Sequence, residues 1–166
     1  THTFHFPAEG KRAAVNLIYY TGGTDMPPKH ITDQLVGTFG NIPRVGAIIE
    51  GENGLLSSGL WNSQCYLKLK DDKKFIGHGN HGEAKKVAQT LPRANGHFRE
   101  WTDAIINNGK TFASFDIGGH LTEIGLSGIV ALKLQQNINW DGEKMKVIGN
   151  SEADTLIQKQ TRKRWL

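Results

Sequence analysis

Val45-Gly46-Ala47-Ile48-Ile49-Glu50-Gly51-Glu52-Asn53-Gly54-Leu55-Leu56-Ser57 decides how the chain folds. Val45, Ala47 and Ile49 alternate with Gly46, Ile48 and Glu50, the two-residue period of a strand, and Asn53-Gly54 tolerates the positive φ angles of a tight hairpin turn. Leu55-Leu56-Ser57 is then the returning strand. Downstream, Gln64 to Leu69 and Lys74 to Ile76 continue the sheet across the charged turn Asp71-Asp72-Lys73, so an antiparallel meander is expected. Upstream, strand patterns at Thr1 to Phe6 and Val15 to Tyr20 flank Pro7-Ala8-Glu9-Gly10 and form a second hairpin. Between the hairpins, Thr21-Gly22-Gly23 and Met26-Pro27-Pro28 open a weakly patterned stretch to Pro43 that reads mostly as loop. Gly77-His78-Gly79-Asn80-His81-Gly82 also reads as a flexible loop.

Helical periodicity begins in the second half. Phe98, Trp101, Ala104 and Ile105 share one face of a helix from about His97 to Asn107, capped by Asn95 and stopped by Asn108-Gly109. A second helix, from about His120 to Gln136, is apolar almost all round, which predicts burial on more than one side. Gly125 and Gly128 within it each cost about 1 kcal/mol of helix propensity, and close approach of the helix to the sheet is the expected return. Ile138 to Trp140 and Lys146 to Ile148 read as short strands around Asp141-Gly142, and Ser151 with Asp154 opens a last helix.

Strands first and helices afterwards predict an α+β fold, a mostly antiparallel sheet with helices on one face and the other face left for a partner. Residues 1–166 have the size of one domain, able to bury a core without disulfides or a structural metal. No Gly-rich turn joins an apolar strand to a helix and no β-α-β run exists, so no dinucleotide site and no Rossmann domain are expected in this chain. The opening Thr1 is not an initiator Met, so the expectation is an internal point of a longer polypeptide.

Hydrophobic residues at 37% and charged residues at 22% are globular values, and no apolar run is long enough to span a bilayer. A soluble protein, cytoplasmic or periplasmic, without membrane contact is expected. The net charge of +4 comes from basic residues interspersed with 16 acidic ones, and the one basic run, Lys159 to Arg164, reads as a solvated helix end; no nucleic-acid partner is expected. The single Cys65 excludes an internal disulfide and reads as a small buried side chain.

Several segments, in order, carry a family pattern. Phe4-His5-Phe6-Pro7-Ala8-Glu9-Gly10 resembles "FEFPARG", and Leu17-Ile18-Tyr19-Tyr20-Thr21-Gly22-Gly23 resembles "LTWYDGG", followed by the pair Pro27-Pro28. Gly51-Glu52-Asn53-Gly54-Leu55-Leu56 resembles "GEKGKLL"; Leu91-Pro92-Arg93 with Gly96-His97-Phe98-Arg99-Glu100-Trp101 resembles "LPR…GHHQEW". Phe115 to Glu123 resembles "FDYAGPLTE", and Asn139 to Val147, with Arg162 to Trp165, resembles "EWDGEKMKFTN…YREGW". The chain thus resembles the C-terminal domain of bacterial glucose-fructose oxidoreductase / inositol dehydrogenase (Gfo/Idh/MocA) proteins. The resemblance implies an NAD or NADP cofactor held by an N-terminal Rossmann domain, a sugar or polyol substrate between the domains, and homo-oligomers through the sheet face. The family's characteristic lysine belongs to the first domain, so the isolated chain is expected to be inactive.

Hydride exchange at a hydroxyl carbon needs a group to handle the hydroxyl proton, and imidazole suits that near neutrality. His97, at a helix start one turn before Trp101, is a candidate substrate contact, with a structural hydrogen bond as its ordinary role. Arg93, in a Pro-bounded loop, could clasp substrate oxygens or pair with a carboxylate. Tyr20 matches the tyrosine of "WYDGG" and is the third candidate. Thr21 and His120 stand where the family pattern has Asp and Pro. Asp116 and Glu123 read as structural carboxylates at the entry of the apolar helix. A zinc site from His78, His81 and His97 lacks a ligand pair of the usual spacing, so no metal is expected. Two other functions compete with the oxidoreductase half: a non-catalytic carbohydrate-binding or oligomerisation module, and half of an NAD-dependent glycoside hydrolase.

Overall fold

A computed structural model describes residues 1–21 and 24–158, which fall into two compact units, one of Thr1 with Ile18–Pro92 and one of His2–Leu17 with the chain from Arg93 onward. Gly22, Gly23 and the basic run Lys159 to Arg164 lie outside the described residues. The α+β class holds: helices accompany antiparallel sheets. Among the described residues the strands form three separate small sheets, however, and not one continuous sheet.

The first unit is built on the four-stranded antiparallel sheet β3 (Ala47–Gly51), β4 (Gly54–Ser58), β5 (Cys65–Leu69), β6 (Ile76–Gly77), paired in that order. The Asn53-Gly54 turn sits where the sequence places it, pairing Gly51 with Gly54. Gly54 has φ 153, and a Cβ there would run into the Lys68 carbonyl, so only glycine fits. The stretch read as loop contains a helix, α1 (Lys29–Phe39), which begins after Pro28 and ends on Gly40 at φ 75. Its Ile31 and Leu35, one turn apart, pack with Leu55 and Phe75 as the core of this unit. The spacing Ile31, Leu35, Phe39 is a narrow helical seam, and the flanking breakers hid it. Phe39 stands edge-on to Tyr66 at 5.0 Å and stacks with Phe75 at 5.8 Å. Leu35 is essentially fully buried, worth about 1.5–3 kcal/mol by transfer. On the opposite sheet face Ile49 is exposed.

The segment read as a flexible loop is pinned. His81 is buried and caps the short helix α2 (Gly82–Lys85), its Nδ1 accepting from the backbone N–H groups of Glu83 and Ala84 at 3.1 and 3.4 Å. Its Nε2 lies 2.9 Å from Asp72 Oδ2, so the ring proton sits on Nε2 and donates to that carboxylate. Asp72 also accepts from Leu69 N at 2.8 Å, closing the charged turn. These bonds hold the Asp72 carboxyl below the ordinary 3.8, the His81 bond first and the Leu69 bond second. Cys65 is half-buried, less enclosed than its apolar neighbours suggest.

β1 (His2–Phe6) pairs with β2 (Val15–Tyr19), whose first three residues belong to the second unit; in that unit α3 (His97–Asn107) leads to α4 (Phe115–Leu134), the short pair β7 (Trp140–Asp141) and β8 (Lys146–Val147), and α5 (Glu152–Ile157). Gly96, at φ 94, precedes α3 in place of the expected Asn95 cap. Asn150, one residue before Ser151, caps α5 through Oδ1. Its core is Val130, Val147 and Ala153 with Leu134, Ile138 and Trp140 against them. Helix α4 starts five residues earlier than read. Asp116 therefore lies in its first turn as expected, whereas Glu123 is in the third and caps nothing. Nor is α4 enclosed: Ser127, Gly128 and Val130 are buried while Leu121, Leu126 and Leu132 are more than half exposed. The close approach predicted for its glycines occurs at Gly128 alone, where a Cβ would lie 2.8 Å from Phe4 Cζ; around Gly125 the space is open.

Candidate functional site

The described residues contain an open groove of about 540 Å³ along α3, with Phe115, the first residue of α4, also in its lining. His97, Glu100, Trp101 and Ile105 line it because they recur at three- and four-residue spacing on one helix face. Asn108, at φ 50, ends the helix, and Gly109 N bonds back to the Ala104 carbonyl at 2.8 Å, turning the chain so that Thr111 and Phe115 form the facing wall. Glu100 fastens that wall through one carboxylate oxygen, which accepts from Phe112 N at 2.5 Å. Arg99 and Asp103 pair at 3.1 Å on the same helix, outside the groove lining.

Of the three candidates, His97 stands in the groove, its ring tilted against Phe98 with centroids 4.4 Å apart. Arg93 belongs to the same unit but lies in the irregular segment before α3, exposed and outside the lining. Tyr20, the residue after β2, is half-buried and belongs to the other unit. The structure thus gathers His97 with Glu100 and Trp101, two residues the sequence reading did not single out. Their signal was available, since both follow His97 on the helical face period.

Chemically the groove offers an imidazole that can give or take a proton, a carboxylate oxygen and an indole face, a set suited to a ligand with hydroxyls on an apolar ring. It offers no oxidant or reductant. A dinucleotide cradle needs backbone N–H groups free at a helix start behind a strand. Against the expectation that no Gly-rich turn joins a strand to a helix, Gly77, Gly79 and Gly82 stand in Gly-x-Gly-x-x-Gly spacing between β6 and α2, but the Glu83 and Ala84 N–H groups at the start of α2 are taken by the His81 side chain and are not offered to a pyrophosphate. Among the described residues no group of three His, Cys, Asp or Glu side chains is placed to hold a metal, and no helix is long and apolar enough to cross a membrane.

Helices with antiparallel sheets, and a groove of polar and aromatic side chains among the described residues, make this an α+β domain with a candidate binding site. The chain matches the Gfo/Idh/MocA model described as oxidoreductase family, C-terminal alpha/beta domain, over residues 48–166, and it belongs to that family. No curated protein and no solved structure matches it.

Proposed function

We propose that residues 1–166 serve as the single C-terminal domain of an NAD(P)-dependent oxidoreductase that acts on a hydroxyl-bearing carbon of a sugar or polyol. The nicotinamide dinucleotide is bound by a Rossmann domain of the same protein, and this chain supplies binding and orientation. Membership of the oxidoreductase family supports the reaction class. The observation that carries the substrate side is His97 in one groove with Glu100 and Trp101. In this reading His97 hydrogen-bonds the reacting hydroxyl, Trp101 packs the carbon ring, and Glu100 holds the facing wall in place. Arg93 and Tyr20 are further substrate contacts. Homo-oligomers form through the sheet face that carries the exposed Ile49.

The test is thermal and kinetic on the full-length protein. NAD(H) or NADP(H) should raise its melting temperature while leaving the 166-residue chain unmoved, by the linkage between binding and stability. With the sugar or polyol it oxidises, His97→Ala should lower kcat/KM about 10- to 100-fold, equivalent to about 1.4–2.7 kcal/mol of transition-state stabilisation. No response of the full-length protein to either dinucleotide overturns the reading.

A further inference from the structure

We infer that Asn95-Gly96, directly before α3, is a site of spontaneous deamidation, and that the fold selects it over the two other Asn-Gly pairs of the chain, Asn53-Gly54 and Asn108-Gly109. Asparagine is among the heat-labile side chains, and a glycine after it leaves the approach uncrowded by any Cβ. The Gly96 main-chain nitrogen attacks Asn95 Cγ. The new N–Cγ bond closes a succinimide as the Cγ–Nδ2 bond breaks, and the Gly96 proton leaves with the amide nitrogen as ammonia. Water then opens the ring at Cγ, which gives aspartate, or at the Asn95 main-chain carbonyl, which gives isoaspartate with one more carbon in the main chain. Water is the only co-reactant, and nothing is oxidised or reduced.

The three pairs differ in what holds the reacting atoms. Asn108 ends α3, and Gly109 N already donates to the Ala104 carbonyl at 2.8 Å, so that nitrogen must break a hydrogen bond before it can attack. Asn53 is fixed by its hairpin: its carbonyl accepts from Lys70 N at 3.1 Å, and Gly54 is set opposite Gly51 with the Lys68 carbonyl where a Cβ would stand. Neither restraint exists before α3. Asn95 is exposed and does not cap the helix, and a Cβ on Gly96 would meet nothing within 4 Å. Among the described residues no hydrogen bond holds the Asn95 amide or the Gly96 N–H.

The product falls where it matters. Gly96 holds the cap position of α3 and no side chain caps that helix. Either product therefore adds a negative charge at the positive end of the helix dipole, two residues before His97 of the groove lining. Isoaspartate also lengthens the main chain at that point.

The experiment ages the full-length protein in mildly alkaline buffer, folded and in urea, and follows each Asn-Gly pair by tryptic mass spectrometry; cleavage at Arg93 and Arg99 releases residues 94–99 as one peptide. Expected in the folded protein is deamidation of residues 94–99 ahead of the other two pairs, roughly two- to tenfold ahead of Asn108, the factor that breaking one backbone hydrogen bond sets. In urea the three rates should converge. An isoaspartyl methyltransferase with labelled S-adenosylmethionine should mark the aged 94–99 peptide of wild type and not that of Asn95→Gln, which must close a larger ring. The proposal is overturned if Asn53 or Asn108 deamidates as fast as Asn95 in the folded protein, if urea leaves the spread of rates unchanged, or if the wild-type peptide accepts no methyl label. It is equally overturned if Asn95→Gln melts several degrees below wild type, which marks an amide held by the fold.

Discussion

Trp140 Nε1 donates to Glu123 Oε1 at 2.6 Å, tying the third turn of α4 to the strand that follows it. His120 Nδ1 meets the other carboxylate oxygen at 3.2 Å, and a Cβ at Gly142 would stand 2.9 Å from Oε1. The carboxylate is therefore a structural joint. Trp140→Phe removes its indole donor and should destabilise the protein by about 1–3 kcal/mol, the range for leaving a largely buried polar group unpaired. Glu123→Gln keeps an acceptor and should cost less. A double-mutant cycle in urea that returns no coupling between the two positions contradicts the joint.

The two glycines of α4 should respond in opposite directions. Gly125→Ala enters open space and gains helix propensity, stabilising by up to about 1 kcal/mol. Gly128→Ala presses on the Phe4 ring and should destabilise by about 1–3 kcal/mol through overpacking. Equal midpoint shifts of the same sign would refute the close approach at Gly128.

His81→Ala removes two backbone caps and the partner of Asp72 from a buried position, and should lower stability by about 1–3 kcal/mol. His81→Asn, which still offers a capping oxygen, should recover part of it. An alanine variant as stable as wild type would return residues 77–82 to the flexible loop that their composition suggests.

Acid should weaken the fold through two carboxylates. Asp72 is held below 3.8 chiefly by the His81 hydrogen bond, and Asp141 by the Lys144 backbone N–H and then its ammonium. In the unfolded chain both return to the ordinary value and take up protons first as the pH falls. Their contribution is therefore whole above about pH 4 and disappears as the pH drops through the lowered folded values. Urea midpoints should hold flat between neutrality and about pH 5 and then decline, with a shallower decline in the Asp72→Asn, Asp141→Asn double variant. An unchanged acid slope in that variant would exclude these two groups.

The hairpin around Asn53-Gly54, the turn at Asp72 and the helix from His97 to Asn107 were legible because each is local: a two-residue period, a turn dipeptide or a helical face within a dozen residues. Helix α1 was missed although Ile31, Leu35 and Phe39 carry its period, because a seam that narrow is credible only once Leu55 and Phe75 are known to face it. His97 was singled out from its place at a helix start, and the structure puts it in the groove lining. Glu100 earns its part from a bond to a backbone N–H twelve residues away, which no spacing announces.

The amino-acid order alone determined the α+β class and the family, since periodicity, turn chemistry and motif order are properties of neighbours along the chain. Tertiary structure decided that the strands of the described residues divide into three sheets, that His81 is a buried cap, that α4 keeps much of its apolar surface outward, and that His97, Glu100 and Trp101 share a groove with Phe115. Those outcomes depend on which distant atoms meet and which stay in water, and burial and hydrogen-bond partners are set by the folded whole.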